Sequence, residues 1–212
     1  MRIAIVIFDR FTALDAVGPY EVLSRLPDAR VSFVATEPGP KVADTGWLTM
    51  VADTALDDLP SPNILVVPGG VGQDEAMHDD KLLDWVRTAH RTSTWTASVC
   101  TGALILGAAG VLNGRRATSH WLALDVLPEY GAQQALERVV FDGKVVTGAG
   151  VTAGIDLALR LAARIAGDEV AQTIQLSMEY DPQPPFDAGS PTRAPESIVA
   201  RLRSASRFLR SG

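Results

Sequence analysis

Short runs of largely apolar residues alternate along the chain with segments whose apolar positions recur every three or four residues. Residues 2–8, 31–36, 63–67 and 95–99 are largely apolar runs of the length of a buried strand, continuous over 64–67. Helical spacing marks residues 15–26, 80–91, 120–127, 152–166 and 169–180, and a further helical pattern follows Cys100. Alternating apolar residues between 46 and 56 predict a short antiparallel excursion. Asp142-Gly143, between residues 138–141 and 144–147, predicts a hairpin turn. Strands alternating with helices predict an α/β fold with a mostly parallel sheet wrapped on both faces, a three-layer α/β/α sandwich.

The pattern changes at residue 181. From Asp181-Pro182-Gln183-Pro184-Pro185-Phe186 to Pro195 the chain is rich in proline and small residues, which predicts an extended connection. The residues beyond it are too few for a second core. Residues 1–212 therefore read as one domain, with 181–212 an arm plus a C-terminal helix. In that last stretch Arg201, Arg203, Arg207 and Arg210 alternate with Ile198, Val199, Leu202, Phe208 and Leu209, as expected of an amphipathic helix laid on the domain or on a partner subunit.

Composition narrows the function classes. The chain has 212 residues, 47% of them hydrophobic, enough for a full core. A net charge of −6 with scattered basic residues argues against a nucleic-acid surface. The opening apolar run is too short for a signal peptide and ends at Asp9-Arg10, and no stretch approaches the ~18 apolar residues of a membrane span. A single cysteine allows no internal disulfide and suits a reducing compartment. A soluble cytoplasmic protein is expected.

That cysteine carries the candidate chemistry. In Ser98-Val99-Cys100-Thr101-Gly102 a strand-like run turns into the small-residue helical pattern Gly102-Ala103-Leu104-Ile105-Leu106-Gly107. A lone cysteine is ordinarily a small buried hydrophobe. A tight strand-to-helix turn instead lifts the nucleophile clear of the sheet and sets it at a helix N-terminus, where thiolate is favoured and the thiol pKa is expected to fall.

In parallel sheets, ligands bind beyond the carboxyl ends of the strands. Three loops there bring Asp15, Pro68-Gly69-Gly70 and Cys100-Thr101 towards one cleft. Asp15, in Leu14-Asp15-Ala16-Val17-Gly18-Pro19, has an N-cap as its ordinary role. Beside a thiolate in apolar surroundings, its carboxyl would instead share a proton with the sulfur and have a raised pKa. Gly69 and Gly70 either make a tight turn or turn N–H groups towards developing negative charge. His78, His90 and His120 have no metal-ligand spacing, so no metal is expected; His120 reads as a packing or helix-start residue near the cleft. Thr147-Gly148-Ala149-Gly150-Val151-Thr152 lacks a full dinucleotide fingerprint and reads as a Gly-rich approach to a helix capped by Thr152, so no cofactor is expected. Trp47, Trp121 and Phe186 are candidates for core packing or for lining a pocket.

Taken together, the opening strand, the segment from Leu14 to Val22, Val67-Pro68-Gly69-Gly70, Ser98-Val99-Cys100-Thr101-Gly102, Arg116-Ala117-Thr118-Ser119-His120-Trp121 and the segment from Thr147 to Asp156 resemble the ThiJ/PfpI superfamily (class I glutamine amidotransferase-like) over about residues 1–180. Leu176-Ser177-Met178-Glu179-Tyr180-Asp181-Pro182-Gln183-Pro184-Pro185-Phe186 and the final helix are similar to the isocyanide hydratase branch. The resemblance implies a flavodoxin-like sandwich, usually a homodimer, with Cys100 as nucleophile and Asp15 as its acid partner. It also implies a small-molecule isocyanide as substrate, with Thr101 assisting water, substrate or developing charge. Many relatives carry histidine after the cysteine, where this chain has Thr101, which speaks against peptidase or amidase activity. Many also carry glutamate where this chain has Asp15. Two alternatives remain: a ligand-sensing module like that of AraC-type regulators, whose two-fold helix-turn-helix region is not expected in a chain stopping at Gly212, or a glyoxalase-like or redox-sensing cysteine protein.

Overall fold

The structure, a computed structural model, describes residues 1–208; Leu209 and Arg210 of the expected amphipathic helix lie outside the described residues. In chain order the elements are β1 (Arg2–Val6), α1 (Ala13–Leu23), β2 (Arg30–Ala35), β3 (Gly39–Val42), β4 (Thr49–Ala52), β5 (Thr54–Ala55), β6 (Ile64–Val67), α2 (Gln73–Ala76), α3 (Asp80–Thr92), β7 (Trp95–Val99), α4 (Gly102–Ala108) and β8 (Arg116–Ala117). A 3-10 helix over Leu124–Tyr130 follows, then β9 (Gln133–Gln134), β10 (Val139–Asp142), β11 (Val145–Gly148), α5 (Ala153–Ala166), α6 (Asp168–Ser177) and α7 (Glu196–Ser204).

Seven strands form the main sheet in the order β10-β11-β7-β6-β1-β2-β5, parallel except for the β10–β11 hairpin. Period-two alternation sorts the central side chains onto two faces. Ala4, Val6, Leu65 and Val67 pack with α3 and α4, while Ile3, Ile5, Ile7, Ile64 and Val66 pack with α1 and α5. Strands covered on both faces need no polar side, which explains their unbroken apolar runs. The three-layer α/β/α expectation holds. From β1 the chain runs outward through β2 to β5 and then returns to β6 on the other side of β1. This reversal opens a crevice at the carboxyl ends of β1, β6 and β7, and it is there that the loops carrying Asp15, Gly69-Gly70 and Cys100 meet. Among the described residues no helix is long and apolar enough to cross a membrane.

Several local expectations are corrected. No α-helix spans residues 120–127: Ser119 Oγ donates to Cys100 O at 2.9 Å, the Leu122 N–H donates to His120 Nδ1, and a 3-10 helix containing Pro128 follows. The antiparallel excursion pairs β4 with β3, and β5 then adds to the main sheet alongside β2. The hairpin turn falls at Gly143-Lys144, because Asp142 pairs with Val145 and its carboxylate accepts from the Arg116 N–H and from Arg115. Residues 181–195 contain no helix or strand, as their composition predicts, but α7 buries none of its residues.

Candidate active site

Cys100 occupies the turn between β7 and α4 with φ +57, a left-handed conformation that costs a non-glycine residue about 1–2 kcal/mol. The surrounding bonds hold it there. Its N–H is shared between Gly148 O (3.1 Å) and Ala149 O (2.9 Å), and its carbonyl accepts the Ser119 hydroxyl. The loop after β6 approaches so closely that a Cβ on Gly69 would stand 2.5 Å from Thr101 N and Oγ1. Glycine at that position is therefore what allows the β6 and β7 loops to touch.

Asp15 lies in the first turn of α1 and is fully buried. It does not cap the helix; Thr12 takes the N-cap position. Instead Asp15 Oδ2 accepts the Gly69 N–H at 2.9 Å, while Oδ1 has no hydrogen-bond partner of ordinary geometry. The free oxygen belongs to a carboxyl that interacts with the Cys100 thiol, each group shifting the other's ionisation. Burial is the main cause of the rise in the Asp15 pKa from 3.8 to about 7, opposed by the Gly69 amide and the thiol and assisted by the negative charge of Asp44.

The same burial overturns the expected acidity of the sulfur. Cys100 is 5% exposed. Desolvation, then the charge of Asp15, pushes its thiol up to about 12. The Val151 and Thr101 amides stabilise the anion, but burial outweighs them. The pair therefore holds its proton on sulfur above neutral pH, with the Asp15 carboxylate as the base coupled to it.

The glycine loop serves the site differently from the expectation. Both amides are occupied, Gly69 by Asp15 and Gly70 by Thr101 Oγ1 at 3.1 Å. They fix the acid and the threonine and are not free to meet charge on a ligand. Cys100 and Thr101 face a cavity of about 220 Å³, also lined by Thr12, Asp44, His120 and Val151. Thr12 Oγ1 donates to Asp44 Oδ2 at 2.6 Å, placing a second carboxylate at the mouth.

Sequence reasoning missed much of this lining. His120, expected near the cleft as a packing or helix-start residue, does border the cavity, and burial followed by the charge of Arg207 lowers its pKa. Asp44, Val151 and Arg207 carried no local signal, although Val151, with φ +28, is a strained β-branched residue whose N–H faces the sulfur. Thr152 does stand at the N-cap of α5, yet its hydroxyl accepts from Arg138 instead of capping. Trp47 and Phe186, 94% and 78% exposed, neither pack in the core nor line this cavity. Trp121 borders an adjoining cavity of about 440 Å³ together with Leu124, Leu136 and Pro191, and His120 and Val151 line both. Among the described residues no group of three or more His, Cys, Asp or Glu side chains could hold a metal ion.

A buried acid coupled to a cysteine on a strained elbow lies at the switch point of a parallel sheet, and a family model places the chain in a class. The chain belongs to the DJ-1/PfpI family, whose model matches residues 1–164. Particular relatives narrow the comparison. An isonitrile hydratase from Pseudomonas putida is 45% identical over 207 residues, covering 97% of this chain and 90% of the relative. The HTH-type transcriptional regulator CdhR of Pseudomonas aeruginosa is 33% identical over 171 residues, and this chain spans about half of its length. The crystal structure of a ThiJ/PfpI family protein from Pseudomonas syringae superposes with a TM-score of 0.93 at 37% identity, covering 96% of this chain and 84% of that one.

Proposed function

We propose that this protein hydrates isocyanides to N-formamides, with Cys100 as nucleophile and Asp15 as the group that moves the proton. The observation that carries the reading is the buried Asp15 carboxyl, fixed through Oδ2 by Gly69 and coupled to the Cys100 thiol. The likeness to the Pseudomonas putida isonitrile hydratase over nearly the whole of both chains supports the substrate class.

The geometry suggests the following sequence. Ionised Asp15 takes the thiol proton as sulfur attacks the terminal carbon of R–N≡C, and it returns that proton to the same carbon, giving the thioimidate R–N=CH–S–Cys100. Asp15, ionised again, accepts a proton from water as the oxygen adds to the carbon, and the nitrogen gains that proton. Collapse breaks the C–S bond, and the hydroxyl proton returns to sulfur. The products are R–NH–CHO and the free thiol. One isocyanide and one water are consumed, and no electrons are exchanged. Because the thiol pKa is high, proton transfer to Asp15 accompanies attack, and no stored thiolate is needed.

The test is formation of formamide from a panel of isocyanides by the wild type, Cys100→Ala and Asp15→Asn. Turnover by the wild type alone is expected. Undiminished turnover by Cys100→Ala would remove the covalent step. Binding of isocyanide without turnover by the wild type would instead favour ligand sensing, the reading that the match to half of a transcriptional regulator keeps open.

A further inference from the structure

The cavity over Cys100 is not closed by the sheet and its loops alone. Its outer side is made by Ser206, Arg207 and Phe208, which arrive after α7 from far along the chain. Two anchors hold this segment. The Arg207 guanidinium spans the loop next to the site, donating from one nitrogen to Gly70 O at 2.9 Å and Gln73 Oε1 at 3.0 Å and from another to Val71 O at 2.5 Å and Asp74 Oδ2 at 3.0 Å. Phe208 packs against the core cluster beneath α3 and α4, with the guanidinium over its ring at 4.7 Å. The Arg207 side chain is only 29% exposed, whereas no residue of the preceding α7 is fully buried. Arg207 and Phe208 are the segment's contacts with the cavity rim, while further back Arg203 lies over the Trp121 ring at 5.8 Å.

We propose that Arg207 and Phe208 form the outer wall of the substrate cavity and set the size of the R group it accepts, with Arg207 as the latch that keeps this wall against the Gly70–Asp74 loop. With the wall in place the cavity measures about 220 Å³, below the roughly 300–1,000 Å³ of pockets that take drug-sized ligands. Short alkyl or single-ring aryl isocyanides fit such a space. Larger substituents meet Arg207 and Phe208 at the outer side. The choice of substrate rests on the hydratase reading; the wall itself does not.

Two measurements separate these ideas. Cys100 is the chain's only cysteine, so its labelling can be followed without interference. Rates are compared for iodoacetamide and a fluorescein maleimide in the wild type, Arg207→Ala, Arg207→Lys and Phe208→Ala, at temperatures where the rates do not respond to low urea. The wild type should strongly favour the small reagent, and each variant should relax that ratio by about tenfold or more, as release of about 1.4 kcal/mol of latching would do. Arg207→Lys keeps the charge without the forked donors, so it decides the matter should the truncations fold poorly. In the second measurement, kcat/KM for a bulky isocyanide relative to methyl isocyanide should rise in the same variants. An unchanged labelling ratio in the folded variants overturns the wall. A relaxed ratio in a protein that turns over no isocyanide upholds the wall and rejects the hydratase reading.

Discussion

The Gly69 amide donates to Asp15 Oδ2 at 2.9 Å across fifty-four residues of chain, and in doing so fixes a buried carboxyl that interacts with the Cys100 thiol. The bond stabilises the ionised carboxylate, but burial costs more, and the net result is an acid that titrates near neutrality. A group at about 7 suits proton transfer in both directions at cellular pH.

The first prediction concerns the pH profile. If Asp15 carboxylate must receive the thiol proton, kcat/KM for an isocyanide should rise through an ascending limb with its midpoint at about 7. The thiol, at about 12, should impose no second limb below pH 10. Asp15→Asn should lose turnover by about 10²–10⁴-fold and lack the limb altogether. A limb that persists in the residual activity of Asp15→Asn would assign it to another group.

The same residue makes a prediction about stability. The carboxyl is protonated in the folded protein up to about pH 7 but ionises in the unfolded chain near 3.8. Between those values the folded state binds the extra proton, so stability must fall as pH rises, and it levels off above 7. Its contribution is complete below pH 3.8 and lost through pH 7, a change of a few kcal/mol. Urea titrations at pH 5 and pH 8 should therefore show a larger loss for the wild type than for Asp15→Asn. Equal losses would place the titration elsewhere.

Much of the sheet was legible because its central strands are buried on both faces: residues 95–99 were read correctly, and Ile64–Val67 to within one residue. Segments controlled by tertiary bonds were not. Residues 120–127 have helical spacing, but the Ser119 bond to the Cys100 carbonyl and the proline of the following 3-10 helix prevail. At the site, the elbow pattern exposed Cys100, and its neighbourhood in the parallel sheet exposed Asp15. The sulfur's acidity was misread because a helix N-terminus is visible locally, whereas desolvation depends on the whole fold. Arg207 meets Gly70 across 137 residues, a distance over which periodicity carries no information.

Strain at the elbow yields a third prediction. With φ +57 at position 100, Cys100→Ala keeps the steric penalty and Cys100→Gly removes it. Both variants should be inactive, and the glycine variant should be more stable than the alanine variant by about 1 kcal/mol, despite glycine's greater freedom when unfolded. Thermal unfolding of the two side by side measures the difference. A less stable glycine variant would mean that the turn is relaxed.

The last prediction concerns Thr101, whose buried hydroxyl accepts the Gly70 N–H at 3.1 Å. Thr101→Val preserves shape but leaves that amide without an acceptor, which costs about 1–3 kcal/mol. Thr101→Ser retains the oxygen and should retain most of the stability. Activity should separate two roles for the hydroxyl. If it only secures the Gly70 amide, and with it the loop that holds Asp15, Thr101→Val should shift the ascending limb of the pH profile away from about 7 while Thr101→Ser leaves it in place. If the hydroxyl also contacts water or substrate in the cavity, Thr101→Val should lower kcat at every pH. Measured pH profiles for both variants, together with their urea midpoints, distinguish these outcomes, and a Thr101→Val enzyme with wild-type stability and profile would leave the Gly70 contact without consequence.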